Sequence, residues 1–397
     1  MSLRTIWSTV LVTLLFTQVI AKGIFDDYIE DQKDKEKEKQ DSPTEGKDEG
    51  KADNKYHCRI GNDKRQEWMI LFKPKYEKTL ILIDGNLMQK APKGLEVDST
   101  PEKDPVRATF SWYDNCKEKK EENNDKKEDA EQPQEQTKKE TKGGPLYAIY
   151  NDVMKYPPGV STSGSSKGVF VYRGESGFFM THTVPGFPDI DKYEWTEKML
   201  SSAHLFICLT LDRKMAGQIM SHLSYAGPLI YAGSVPDEEK RKEPGITLNK
   251  LLTSGKQRPS SGERSFMTKA GKQNFFFFMK VGRPEADLTG DLIVKNFSQT
   301  FSVFTGVEIM KEDKKLANRC QGGFKVQNVR DSVRVEKYEH TPYQNDFSWS
   351  CGGQYFCLLS QGRTVKDQRK HGMATCVASK KARKAFCSSL TEKVERC

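Results

Sequence analysis

No stretch of this 397-residue chain holds the ~20 consecutive apolar residues that a membrane-crossing helix needs. No two cysteines form a Cys-x-x-Cys pair, and no histidine stands at zinc-finger spacing, which argues against a structural zinc site. Apolar residues are scarce as well, at 36% against 30% charged. A chain of this length builds a real core only if that charge is gathered into stretches outside it. Two such stretches exist. Residues 22–56 are dominated by Lys, Glu, Asp, Gly and Gln and lack apolar periodicity. Residues 117–143 hold eight Lys and nine acidic residues, with Ala130 the only aliphatic one. Neither buries enough apolar area to offset ordering entropy, so the first reads as a disordered linker and the second as a disordered insertion. The balanced charge of the insertion argues against a dedicated DNA contact.

What is present begins with a secretory pattern. Arg4 is followed by a short, largely apolar run from Ile6 to Leu15 and by Val19-Ile20-Ala21, so residues 1–21 are expected to be a signal peptide. Nine cysteines suit the oxidising compartment this implies, and the odd count leaves at least one without a partner in the chain. Asn296-Phe297-Ser298 is an N-glycosylation sequon. Net charge is +9, and residues 361–397 carry +7 of it, with ten Lys/Arg against three acidic residues. Such clustering fits a polyanion partner and, equally, a solubilising face. Lys380-Lys381-Ala382-Arg383-Lys384 looks like a nuclear import signal, which a secreted protein cannot use.

The remainder alternates strand-like and helix-like segments. Trp68 to Phe72, Thr79 to Ile83, Leu146 to Tyr150, Gly168 to Tyr172, Phe178 to His182 and Leu205 to Leu211 read as strands. Lys214 to Leu223 reads as a helix, with Met215, Ile219, Met220 and Leu223 on one face. Asn274 to Lys280, with four consecutive Phe, reads as core rather than as a cofactor box, and no cofactor is implied. Leu288 to Val294 and Phe301 to Val307 continue this pattern of strand-like and helix-like segments, and Val377 to Arg396 fits a closing basic helix. Mixed elements over this length predict α/β layers.

Several stretches, in order, resemble the deoxyribonuclease II family. They are Cys58 with Glu67-Trp68 and Phe72-Lys73, Tyr150-Asn151-Asp152, Gly164 to Val169, Phe178 to Pro188, and Gln368-Arg369 with Gly372 and Cys376. Gly164 to Val169 is similar to the family's Gly-His-x-Lys-Gly segment, and the run ending His182-Thr183-Val184-Pro185-Gly186-Phe187-Pro188 to its His-Ser-Val-Pro-x-Phe-Pro segment. The resemblance implies a phospholipase D-like fold of two pseudo-symmetric halves, each a mixed β-sheet flanked by helices. It divides the chain into a first half at 57–225 and a second at 226–397. It also implies the bridges Cys58–Cys208, Cys357–Cys376 and Cys320–Cys397. Cys351 then takes the place of an unpaired family Cys, and Cys116 and Cys387 are left over.

The family's chemistry uses two His-x-Lys motifs, one per half, meeting at a single cleft without a metal. One imidazole attacks phosphorus, the other protonates the leaving oxygen, and the lysines neutralise phosphate. This sequence departs from both motifs. In the first, Ser165 stands at the His position and Lys167 is kept. In the second, aligned on Asp346 and Cys351, Phe347 replaces His and Trp349 replaces Lys. Ser165, Lys167, Phe347 and Trp349 are therefore expected to converge as a degenerate site. Of the histidines, His182 matches a supporting position in the family, though a structural role is the simpler reading. His340 lies seven residues before Phe347, and His371 falls in the tail at no motif. The leading expectation is a secreted, catalytically inactive paralogue that binds DNA or another polyanion, through Lys167 and the tail cations Lys380, Lys381, Arg383 and Lys384. An active acid endonuclease with substitute residues and a secreted protein-binding or immune-modulating factor are the alternatives. Lysosomal residence is a further implication of the resemblance. No membrane partner is expected.

Overall fold

Runs of aromatic and branched residues become strands, and each joins one of two large sheets. In the computed structural model the described residues are 56–61, 64–86, 93–113, 144–153, 164–189, 193–254, 261–307, 313–344, 347–390 and 392–397. The expected signal segment, nearly all of the 22–56 linker, the 117–143 insertion, Cys116 and Asp346 lie outside them. Tyr56, the last residue of that linker, is buried and faces Trp112.

The first half opens with the small hairpin β1 (Cys58–Ile60) and β2 (Lys64–Gln66). Its sheet is built from β3 (Trp68–Lys73), β4 (Ile81–Gly85), β5 (Leu146–Asn151), β6 (Gly168–Arg173), β7 (Ser176–His182), β8 (His204–Leu211) and β9 (Leu229–Ser234). Their spatial order is β4-β3-β8-β7-β6-β5-β9, antiparallel at every pairing. The second sheet uses β10 (Glu263–Ala270), β11 (Gln273–Lys280), β12 (Phe301–Phe304) and β13 (Val326–Asn328). A separate hairpin, β14 (Val333–Val335) and β15 (Tyr338–His340), precedes its last strands β16 (Ser348–Gly352), β17 (Tyr355–Leu359) and β18 (Gly372–Val377). The order is β10-β11-β18-β17-β16-β12-β13, with one parallel pair, β12–β13.

Helices flank both sheets: α1 (105–113), α2 (Glu197–Leu200), α3 (Arg213–Leu223), α4 (Gly245–Ser254), α5 (Val294–Phe297), α6 (Val365–Gln368) and α7 (Lys380–Cys387). The architecture is thus the two-halved α/β arrangement. Alternation along the strands sends one side chain set of each sheet into a shared inter-sheet core, where Phe72, Phe170 and Leu205 meet Phe277, Phe304 and Trp349. The opposite faces pack separately, around Val169, Phe178 and Phe206 in the first half and Phe278, Val303 and Leu359 in the second.

Four details add to or differ from expectation. β9 lies beyond residue 225 and still pairs with β5, so the first sheet closes after the expected boundary. Leu288–Ile293 is a π-turn that runs into α5, with Asp287 capping it by accepting from the Thr289 N–H. The closing helix is only Lys380–Cys387, because Val377 ends β18 and Ser379 caps the helix by accepting from the Ala382 N–H. Cys351 is bonded to Cys387 with Cα atoms 5.8 Å apart, because α7 folds back over β16. The other bridges are Cys58–Cys208, Cys320–Cys397 and Cys357–Cys376.

Candidate functional site

The site region lies where β6 and β16 begin. Gly164 has no room for a side chain, since a Cβ there would sit 2.3 Å from the Gly227 carbonyl oxygen. That close approach turns the following residues toward the second half. Ser165 donates its N–H to the His371 carbonyl at 3.1 Å. Its hydroxyl lies 3.1 Å from Ser360 Oγ, 3.3 Å from Gln361 Oε1 and 3.1 Å from the same His371 carbonyl. Ser165 is 4% exposed. Lys167, 8% exposed, puts its ammonium 2.5 Å from Asp152 Oδ2. The one cation kept from the first motif is thus already paired.

His182 is buried behind Lys167. Its Nδ1 accepts the Val184 N–H at 3.2 Å, and its ring meets Phe187 and Phe206. Burial first, then the Lys167 and His204 charges, hold it well below the ordinary imidazole range. His204 is similar: burial and Lys73 push it down to about 3, and its Nε2 lies 2.9 Å from the Met199 carbonyl. Burial thus favours the neutral form of both imidazoles.

The second half is filled differently. Trp349 is fully buried, stacks on Phe304 at 3.9 Å between ring centroids, and donates its indole N–H to the Phe386 carbonyl at 3.1 Å. Phe347 packs against Trp349, Phe72, Phe386 and His340. His340 is buried against the same rings.

The strand ladders place the two halves in one internal register. Lys73 on β3 donates to the carbonyls of Met199, Leu200 and Ser202, and Lys280 on β11 donates to those of Asp367, Gln368 and Lys370. Each buried lysine thereby closes the end of a short helix, α2 or α6. Burial brings Lys280 down to about 8. From Lys73 the ladder runs through His204, Phe206 and His182 to the carbonyl of Lys167. From Lys280 it runs through Gly372, Ala374 and Leu359 to Ser348. Ser348 is therefore the residue opposite Lys167 in the pseudo-symmetric arrangement, and Trp349 is opposite Gly168. Phe347 and Trp349 face the inter-sheet core, whereas Lys167 faces the other side with His182. Ser360 Oγ meets Ser165, and Phe347 precedes the ladder partner of Leu359, so Phe347 and Ser360 stand at the same end of the second sheet, where Ser165 of the first half reaches it. Ser360, Gln361 and the His371 carbonyl were not singled out from sequence. For Ser360 and Gln361 the available signal was their position just after the apolar strand β17, as Thr183 follows β7.

The family model for deoxyribonuclease II matches residues 88–397. The chain belongs to the deoxyribonuclease II family. Plancitoxin-1 of Acanthaster planci is 24% identical over 266 residues, 64% of this chain and 72% of that protein. Cell death-related nuclease 6 of Caenorhabditis elegans is 25% identical over 203 residues, 50% of this chain and 52% of the relative. Deoxyribonuclease-2-beta of Rattus norvegicus is 26% identical over 216 residues, 53% and 58% of the two chains. The segment before residue 88 lies outside the family match, yet β3, Lys73 and the Cys58–Cys208 bridge tie it into the first sheet of this deoxyribonuclease II relative.

Outside the motif end, the four tail cations Lys380, Lys381, Arg383 and Lys384 are all exposed on α7. Ala382, Ala385 and Phe386 turn inward. Asn296 is exposed at the end of α5, with Ser298 in the left-handed region closing the helix. Among the described residues no group of three or more His, Cys, Asp or Glu side chains is placed to hold a metal ion, and no helix is long and apolar enough to cross a membrane.

Proposed function

We propose that this chain is a secreted deoxyribonuclease II family protein that does not cleave phosphodiesters and that binds polyanions. The observation carrying the first part is chemical. Residues 345–351 contain neither His nor Lys, so no register of the second motif supplies an imidazole or a phosphate-neutralising cation. At the first motif, the partners of the Ser165 hydroxyl are Ser360, Gln361 and a carbonyl, none of them a base that activates it. His182 has Nδ1 occupied and burial disfavours its imidazolium form, which weighs against it as a general acid. Binding is supported by the exposed cations of α7.

The deciding experiment is nicking of supercoiled plasmid at pH 5 in EDTA. The expected result is no cleavage above that of a Lys167→Ala variant. Reproducible nicking that disappears in His182→Ala or His340→Ala overturns the reading in favour of an active acid endonuclease. Absence of binding to any polyanion at low salt overturns the second part and favours a protein partner.

A further inference from the structure

We propose that the outer face of the second sheet around Met267 is covered by an N-linked glycan on Asn296 of the same chain, whose first sugars lie on a patch of Met and aromatic side chains. The inference goes beyond the function proposed above and rests only on its secreted part, since such sugars are added on the secretory route. Strand register builds the patch. Met267 on β10 stands opposite Phe276 on β11, and both point away from the inter-sheet core. Phe276 meets Phe297 and Tyr355 edge to face, and those two rings stack on each other at 3.8 Å between centroids. The three rings are half-buried and Met267 is 38% exposed. Among the described residues Met267 is the only exposed large apolar side chain that stands inside a strand. An apolar side chain left open on a long edge strand is an association hazard that a cover removes.

The sequon Asn296-Phe297-Ser298 places that cover within reach. Asn296 and Ser298 are exposed, and Phe297 between them is one of the patch rings. Asn296 is tied to β10, because its Oδ1 accepts the Ser265 hydroxyl at 3.2 Å. Ser265 and Met267 lie two residues apart on one face of β10, a rise of about 7 Å. The pair of N-acetylglucosamine rings that begins an N-linked glycan spans that distance. Each ring has a C–H face, and laying it on an aromatic and thioether surface removes apolar area from water. Both folded contacts of Asn296 are compatible with attachment. Oδ1 remains an acceptor for Ser265, and the substituted amide keeps one N–H to match the single carbonyl, that of Leu292, which Nδ2 contacts at 2.9 Å.

Attachment is a group transfer from an oligosaccharide linked to a lipid pyrophosphate. The bond between sugar C1 and Nδ2 forms as the bond from C1 to the pyrophosphate oxygen breaks. The lipid pyrophosphate leaves with the electron pair, Nδ2 gives up one proton, and nothing is oxidised or reduced. In the folded chain Nδ2 is engaged by Leu292 and Ser298 is held in the left-handed region, so the transfer belongs to the chain before α5 forms. Folding then brings the sugar over β10 through the Ser265 contact. The outer edge of β10 pairs with no strand among the described residues, so a second copy of the chain is the competing cover. A glycan beside Ser265 stands in the way of that pairing.

The test expresses the full chain in a eukaryotic secretory host beside two variants that lack the sequon, Asn296→Gln and Ser298→Gly. The second leaves Asn296 in place and suits the left-handed backbone at residue 298. Peptide mass spectrometry is expected to find the glycan on Asn296 of the unaltered chain and on neither variant. Mild peroxide oxidation then reads the cover, because Met267 becomes a sulfoxide only as fast as peroxide reaches its sulfur. Met267 is expected to oxidise at least about threefold more slowly in the glycosylated chain than in either variant. Met199, half-buried in the first half, should oxidise equally in all three proteins. A secreted chain with no glycan on Asn296 overturns the proposal and leaves the secreted reading standing. A chain retained in the cell without the glycan overturns both. A glycan present with Met267 oxidised equally fast in all three proteins means that the sugars point into solvent, and overturns the seating. Equally slow oxidation in all three, with each sedimenting as a dimer, overturns it in favour of a second copy as the cover.

Discussion

Lys73 and Lys280 do the same work in the two halves, each buried and each closing a short helix through three backbone carbonyls. The strand orders superpose in the same way, and α3 and α7 occupy matching places after β8 and β18. Against this shared skeleton the motif ends diverge. The first half keeps a polar end, with Ser165 hydrogen-bonded across to Ser360, Lys167 paired with Asp152, and two neutral imidazoles behind. The second half has become hydrophobic core, with Phe347, Trp349 and Phe386 packed beneath a disulfide-clamped helix. The skeleton is held by backbone satisfaction, which side-chain change at the motif end does not touch.

If the motif end of the second half is held by packing and that of the first by polar contacts, the largest effect should come from Trp349. Trp349→Ala removes a fully buried ring, its stacking on Phe304 and its bond to the Phe386 carbonyl, and should cost about 3–5 kcal/mol. Urea unfolding of this variant beside Lys167→Met measures the contrast. A smaller loss for Trp349 than for Lys167 breaks the comparison.

The clamp comes next. Replacing Cys351 and Cys387 by Ser should cost ~2–4 kcal/mol, since the bridge closes a loop across 36 residues. It should also open Lys380–Lys384 to trypsin before the sheets unfold. Unchanged cleavage there with the bridge removed means that Phe386 alone seats the helix.

Much of the skeleton was legible in the sequence, because it rests on local pattern. The aromatic-rich run Phe178 to His182, the apolar run Leu205 to Leu211 and the 3.6-residue spacing of Met215, Ile219 and Leu223 announce their own elements. The motif end was less legible. A one-residue shift reverses which face of a strand a side chain occupies, and only the paired ladders show that Ser348, not Trp349, stands opposite Lys167. The Cys351–Cys387 bridge was hidden for a related reason, since it depends on α7 folding back over β16.

Acid sensitivity should sort by half as well. His182 and His204 sit in the first half, and the matching residues in the second, Leu359 and Gly372, do not titrate. A histidine whose folded pKa is about 3, against 6.5 unfolded, contributes fully above pH 6.5. Its contribution falls as the pH drops from 6.5 toward 3, because the unfolded chain takes up the proton first. At pH 5 the loss from His204 is about 2 kcal/mol. Stability measured from pH 7.5 to 4.5 should decline, and His204→Gln should flatten the decline. Hydrogen exchange that rises first in β14–β18 on acidification would place the sensitivity in the wrong half.

The smallest expected effect is the most specific to the way the halves meet. Ser165 Oγ and Ser360 Oγ lie 3.1 Å apart, each buried or nearly so, and they join the start of β6 to the end of β17. Ser360 also accepts the Met373 N–H, so Ser360→Ala alone leaves a backbone donor unmet, whereas Ser165→Ala leaves its own N–H on the His371 carbonyl. The Ser360 single variant should therefore cost more, roughly 1–3 kcal/mol against about 1 kcal/mol for Ser165. A double-mutant cycle removes these unequal terms and isolates the contact itself, expected at about 0.5–1.5 kcal/mol for a part-buried hydroxyl pair. The same cycle run between Ser165 and Ser350, whose hydroxyl makes no contact with it, should return a value near zero. A vanishing Ser165–Ser360 coupling would mean that the two hydroxyls bond elsewhere, and that the polar end of the first half holds itself rather than its partner.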